Sequence, residues 1–160
     1  TWEATVRGCP DISQVDLDAT LFGPEVIREY NLQRGEMEHL DAIVWAQPET
    51  GASIGRKHVR HDEFWIPGHI PGRPIMPGVI QIESAAQVAS FYTRKYVGWK
   101  GFIGFGGVTD CKFRQQVVPG DTLYILCQKI WERHRRVGCN IQGLVKGNIA
   151  FECQIIGVEL

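Results

Sequence analysis

Residues 77–97, PGVIQIESAAQVASFYTRKYV, restrict what this chain can build more than any other segment. Pro77 suits the first position of a helix, where its missing N–H is not needed, and Gly98 suits the position just past the end. A helix of roughly 30 Å is expected between them, at about 1.5 Å per residue. Val79, Ile80, Ile82, Ala85, Ala86, Val88, Ala89, Phe91 and Tyr92 point in nearly all directions around it. A helix that is apolar all round has no face to give to water and must be covered on most sides. One carboxylate, Glu83, interrupts it, and no other charged residue lies between Arg73 and Arg94.

The rest of the chain offers the cover. GPEVIREY (23–30) predicts a short helix with Pro24 at its first position. Residues 39–59 predict a hairpin, two β-rich runs around a turn at Pro48–Gly51. Residues 62–76 are a loop in which Pro67, Pro71 and Pro74 remove backbone freedom. After Gly98 the pattern turns to strands over 102–108, 111–118, 122–133, 136–146 and 148–158, with turn signals at Pro119-Gly120-Asp121 and Lys146-Gly147-Asn148. About two strands, one long helix and about five more strands predict an α+β fold, a curved antiparallel sheet wrapped around the helix. A length of 160 residues suits one domain, and no repeats or low-complexity tracts occur.

Charge and composition exclude several classes. A formal net charge of −1 argues against nucleic acid as the main partner, because phosphate binding normally needs a basic surplus. No apolar run reaches the roughly 18 residues of a membrane span, and the N-terminus lacks the basic-then-apolar pattern of a signal peptide. The cysteines at 9, 111, 127, 139 and 153 are odd in number, widely spaced and without a C-x-x-C pair. They read as reduced thiols of a cytoplasmic protein, with Cys127, Cys139 and Cys153 as small core side chains. His58 and His61 fall on opposite faces of an extended strand, which disfavours metal ligation. Strand residues follow GFIGFGG (101–107), so a phosphate loop is not expected.

Glu83 and His69 carry the chemistry. A buried, unpaired carboxylate costs several kcal/mol unless it protonates or finds a partner. A neutral carboxylic acid can donate a proton, the task of a general acid. Alternatively, Glu83 lies near an opening, or pairs with Gln87 one turn on. His69 sits in PGHIPG, whose stiff flanks fix the direction of an imidazole that is a usable base near neutral pH; a turn histidine without a role fits the same pattern. Free N–H groups near Gly78 and Val79 at the helix start would stabilise developing negative charge. Base, acid and oxyanion donors together describe removal of a proton next to a carbonyl with loss of a β-hydroxyl.

DEFWIPGHIPGRPIMPGVIQIESAAQ (62–87) resembles the signature of the β-hydroxyacyl-acyl carrier protein dehydratases of the FabZ type. FGGVTDCKFRQQVVPGDTL (105–123) resembles a second segment of that family, and LQRGEMEHLDAIV (32–44) a third. The resemblance implies a hot-dog fold over 32–160, preceded by an N-terminal extension, 1–31, that contains the short helix. It implies a homodimer with active sites at the subunit interface, often assembled further into a trimer of dimers. The family's base falls on His69 and its acid on Glu83, contributed by opposite subunits. Gly78 polarises the thioester carbonyl, and Val79, Gly72 and Pro77 belong to the same substrate-binding wall. The reaction would convert 3-hydroxyacyl-acyl carrier protein to the trans-2-enoyl product in fatty acid synthesis. No metal or redox cofactor is implied, because the phosphopantetheine arm belongs to the carrier. Gly35 and Ile70 depart from the family's bulkier or aromatic preferences and bear on chain length and gating more than on reaction type.

Carrier proteins are acidic, so a basic surface near the substrate entrance is expected, with Arg94, Lys95 and Arg114 as candidates. Two other functions fit the same fold. A hot-dog thioesterase also uses a helix carboxylate but does not require the rigid G-H-x-P-G loop. A non-catalytic acyl-thioester-binding protein would need neither His69 nor Glu83.

Overall fold

The computed structural model describes residues 9–160. The central helix, which we call α2, runs Gly78–Tyr92 with Pro77 as its cap, one residue later than expected. It widens into a π-helical turn, Thr93–Val97, and stops at Gly98, whose φ of 87° lies in the left-handed region that glycine enters freely. Ahead of it come α1 (Pro24–Tyr30), a short 3-10 turn (Gly35–Met37) and the hairpin strands β1 (Ala42–Gln47) and β2 (Ala52–His58). After it come β3 (Ile103–Phe113), β4 (Thr122–Arg133), β5 (Arg136–Val145) and β6 (Asn148–Glu159).

The six strands form one antiparallel sheet in the order β1-β2-β4-β5-β6-β3. This is the hot-dog arrangement, a sheet wrapped over a central helix. Inner-face residues Leu123, Ile125 and Cys127 of β4, Cys139 and Ile141 of β5, and Phe151, Cys153 and Ile155 of β6 pack with Val88, Ala89 and Phe91 of α2. Cys127, Cys139 and Cys153 are small core side chains, as their strand context predicts.

The strand count after α2 is four, where about five were expected. The runs 102–108 and 111–118 are not two strands. A single β3 crosses Thr109-Asp110 as a bulge, with Asp110 at φ 52°, and keeps its pairing with β6. The chain leaves the sheet at Arg114, and Val117 accepts the Met76 N–H at 2.8 Å, tying the exit to the loop before α2. Polarity at Thr109-Asp110 looks like a turn signal because local sequence cannot show that the partner strand continues opposite.

Two edges finish the sheet differently. The β1 edge is wrapped by residues 9–30. Cys9, Ile12, Val15 and Leu17 cover the outer face over Val44, Ile54, Leu126 and Leu144. Arg56 clamps this strap by donating to the carbonyls of Leu17 and Ala19, both at 3.0 Å, and to Thr20 Oγ1 at 2.9 Å. The chain then bridges β1 at Phe22↔Ile43, and Phe22 and Tyr30 pack on Phe91 with ring centroids 5.6 and 5.3 Å apart. The β3 edge has no such cover among the described residues, and Phe102, Phe105 and Phe113 are about half exposed.

The expectation that α2 is buried on all sides does not hold within one chain. The sheet and α1 cover one side; Val79, Ile82, Glu83, Ala86 and Ser90 form a stripe on the other that is only partly covered, with Val79 71% exposed. A sheet of six strands curls around only part of a helix. Where it does touch, the approach is close: a Cβ on Gly55 of β2 would lie 2.5 Å from Val88 Cγ2. Val88 is fully buried and β-branched, so it cannot swing aside. Gly55→Ala is expected to lower unfolding free energy by about 1–3 kcal/mol through this overpacking, read by urea denaturation.

Candidate active site

The loop 60–77 begins on a buried ion pair. Lys57 sits on β2 with the same inward parity as Gly55, and its Nζ lies 2.9 Å from Glu63 Oε1. The two side chains are 5% and 4% exposed. The same carboxylate oxygen accepts the Arg60 N–H at 3.3 Å, and the Glu63 carbonyl accepts the Ile66 N–H at 3.1 Å. Trp65 drops into the core, and its carbonyl accepts the His69 N–H at 2.9 Å. In the sequence Lys57 reads as part of a basic tract with Arg56 and Arg60, and its pairing with Glu63 is not evident; strand alternation, which places Lys57 on the same face as inward-facing Val59, is the available signal.

His69 is exposed at the wall of a cleft of about 640 Å³, together with Pro77, Gly78, Val79, Ile82, Phe113 and Arg114. Its Nδ1 lies 2.8 Å from the Ile75 carbonyl oxygen. A carbonyl can only accept, so Nδ1 carries the proton and Nε2 keeps its lone pair for a base's work. Two prolines hold the loop that closes this contact, Pro71 and Pro74. The first α2 bonds are those of Ile80 and Gln81 to the Pro77 carbonyl, so the N–H groups of Gly78 and Val79 stand ahead of the helix's own ladder. The Phe113 ring lies against the Gly78 backbone, 2.6 Å from where a Cβ would be. Pro77 is buried beneath this wall, while Gly72, at φ 81°, turns the loop in solvent.

Glu83 lies half-buried in a separate groove of about 210 Å³, with Gln33, Ala86, Ala89, Ser90, Phe102, Gly104, Val137 and Ile155 among its lining. Of the two placements the sequence left open, buried and unpaired or near an opening, the single chain shows Glu83 half open. Its Oε1 accepts from Gln87 Nε2 at 2.9 Å, the pairing the sequence allowed as an alternative. Gln87 is itself held: Nε2 also donates to the Met37 carbonyl at 2.7 Å, and Oε1 accepts the His39 N–H at 3.1 Å. The His69 cleft and the Glu83 groove share no lining residue. One chain brings His69 together with the helix start, and does not bring Glu83 into the same cavity.

The three candidate basic contacts separate as well. Arg114 lines the His69 cleft while its Nε pairs with Glu152 at 3.0 Å. Arg94 and Lys95 lie at the far end of the central helix. Arg94 donates to the Gly101 carbonyl at 2.8 Å, and the Lys95 ammonium rests over the Phe22 and Tyr30 rings, 4.8 Å from each centroid. Among the described residues, no group of His, Cys, Asp and Glu forms a metal site, and no helix is long and apolar enough to cross a membrane. The five cysteines are free thiols, and burial pushes Cys9 and Cys153 up to about 12.

Fold and site thus define a hot-dog domain with a histidine-bearing loop at the start of its central helix. The FabA-like domain model matches residues 32–154, and the chain belongs to that family. It is 36% identical over 136 residues to the 3-hydroxyacyl-[acyl-carrier-protein] dehydratase FabZ of Clostridium novyi, covering 84% of this chain and 95% of that protein. It is 38% identical over 117 residues to the enzyme of the same name from Acetivibrio thermocellus, covering 72% and 80%. Solved structures agree on the fold. The dehydratase heterocomplex ApeI:P of Xenorhabdus doucetiae matches with a TM-score of 0.71 at 14% identity, over 84% of this chain and 90% of that one. A hypothetical thioesterase with coenzyme A from Streptococcus pneumoniae matches with 0.58 at 8% identity, over 74% and 84%.

His39 lies between the two sites, 1% exposed, with its backbone on Gln87 and its ring near Lys57 and Glu63. Burial pushes its pKa down to about 4; Lys57 adds to this and Glu63 opposes it. The unfolded chain therefore takes up this proton first as pH falls. The stability of the neutral ring is whole above about pH 6.5 and is lost as pH drops toward 4, a change of about 3 kcal/mol. His39→Leu is expected to flatten that part of the stability–pH curve, measured by denaturant titration between pH 4 and 7.

Proposed function

We propose that this chain is a 3-hydroxyacyl-acyl carrier protein dehydratase of fatty acid synthesis, with His69 and Glu83 as its base and acid. The observation that carries the reading is the locked His69 tautomer, with Nε2 free in a cleft that also holds the start of α2. His69 Nε2 takes the C2 proton of the 3-hydroxyacyl thioester. The N–H groups of Gly78 and Val79 receive the negative charge that develops on the thioester oxygen. Glu83 gives its proton to the C3 hydroxyl, which departs as water while the C2–C3 double bond forms; return of the proton from His69 to the Glu83 carboxylate, directly or through solvent, resets the site. Loss of water involves no net oxidation or reduction, so the chemistry calls for no redox cofactor. The FabZ relatives act on an acyl chain tethered to a carrier protein, and the same carrier is the partner inferred here.

Glu83 reaches the substrate from a second copy of the chain. Three features support a homodimer: the two groups lie in different cavities of one chain, α2 has a partly covered stripe, and β3 is an edge strand with exposed Phe105 and Phe113, preceded by exposed Phe102. An exposed apolar edge strand is a pairing surface. Assembly into a hexamer of three such dimers and a cytoplasmic location, in keeping with five free thiols, complete the reading.

A 3-hydroxyacyl thioester tests it. Enoyl absorbance should rise without release of free thiol; free thiol instead would identify a thioesterase, and neither signal a binding protein. His69→Ala and Glu83→Gln should each lower kcat by about 100-fold or more while the fold is kept, read by circular dichroism. Mixing the two inactive variants under subunit exchange should restore part of the activity. Full activity in either single variant removes the mechanism.

A further inference from the structure

We propose that the buried Lys57–Glu63 ion pair is the positioning device for His69, and that it acts separately from the Gln87 contact that holds Glu83. The proposal rests on the shared-site reading above and deepens it. Lys57 stands on β2, whose pairing with β4, Lys57↔Leu123 included, makes it a fixed point of the sheet. Glu63 stands on the loop. Its carboxylate takes Lys57 Nζ at 2.9 Å and the Arg60 N–H at 3.3 Å, so the loop's first turn is set from a rigid element by directional, charge-assisted bonds. From there the path to the imidazole is short. The Glu63 carbonyl holds Ile66 at 3.1 Å, the carbonyl of buried Trp65 holds His69 at 2.9 Å, and the Ile75 carbonyl fixes the ring at 2.8 Å.

Stability gives a weak reason to keep such a pair. Desolvating two charges costs about what their attraction returns, and apolar pairs of similar volume are often as stable or more so. What an apolar pair lacks is direction. The Glu83 side uses other partners: Gln87 is set by the Met37 carbonyl and the His39 N–H. The two supports approach each other at His39, whose backbone serves Gln87 and whose ring feels the ion pair. Each subunit thus carries two half-sites held by different hydrogen-bond partners, with His39 beside both.

The test is the double variant Lys57→Met/Glu63→Leu, which removes both charges together and so leaves neither buried alone. It should fold with an unchanged or raised Tm. Its kcat should fall about 100-fold, the effect of a displaced catalytic group, with KM little changed. Mixed with Glu83→Gln, whose loop is intact, it should regain activity, because hybrid sites join one chain's His69 to the other's Glu83. Mixed with His69→Ala it should regain none, a pattern that a general loss of stability would not produce. Wild-type kcat in the folded double variant, or equal recovery with both partners, overturns the proposal. If the double variant does not fold, Glu63→Gln, which keeps the shape and removes the charge, must show the same one-sided recovery. The His69→Ala plus Glu83→Gln mixture is the control. Should it stay inactive, the shared-site reading falls, and the kcat of the double variant alone decides the role of the ion pair.

Discussion

Everything in this molecule is arranged around a helix that water cannot be allowed to surround. Along α2, Ala85, Val88 and Phe91 are fully buried against the sheet, and Gly55 lets β2 come close enough to touch Val88. The sheet can curl around only part of such a cylinder. The uncovered remainder, from Val79 through Ala86 to Ser90, is apolar or small and runs past the one carboxylate of the helix. An apolar stripe that one chain leaves partly open is the surface on which the proposed homodimer and acyl site both draw. The fold and that proposal trace to the same shortage of covering surface.

The polar groups follow a complementary rule: His69 and Glu83 are each held by something more buried than themselves. His69 is exposed, but Ile75 fixes its ring and Trp65 its backbone. Glu83 is half open, but Gln87, 2% exposed, holds it, and Gln87 is held in turn by Met37 and His39. The direction of both side chains comes from neighbours less exposed than they are. Arg94 and Lys95, prominent as cations in the sequence, are half-buried and engage the Gly101 carbonyl and the Phe22 and Tyr30 rings.

Much of this was legible before any coordinates. Pro77 and Gly98 bracket the helix within a residue, because missing donors and left-handed backbone are local properties. The Pro48–Gly51 hairpin and the Lys146-Gly147 turn follow for the same reason. The motif through His69 and Glu83 was enough to name a family. What misled was equally local: Thr109-Asp110 looks like a turn, and only the continuing pairing with β6 makes it a bulge within one strand.

The sequence by itself determined the helix, the alternation of the strands and that His69 and Glu83 stand out in one motif, since these depend on spacing along a chain. Tertiary structure alone decided which nitrogen of His69 bears the proton, that Lys57 meets Glu63 beneath the loop, and that Glu83 opens into a different cavity from His69. Each of these is a contact between residues brought together by the sheet's curvature. Hydrogen-bond direction and shared burial exist only once that surface has closed.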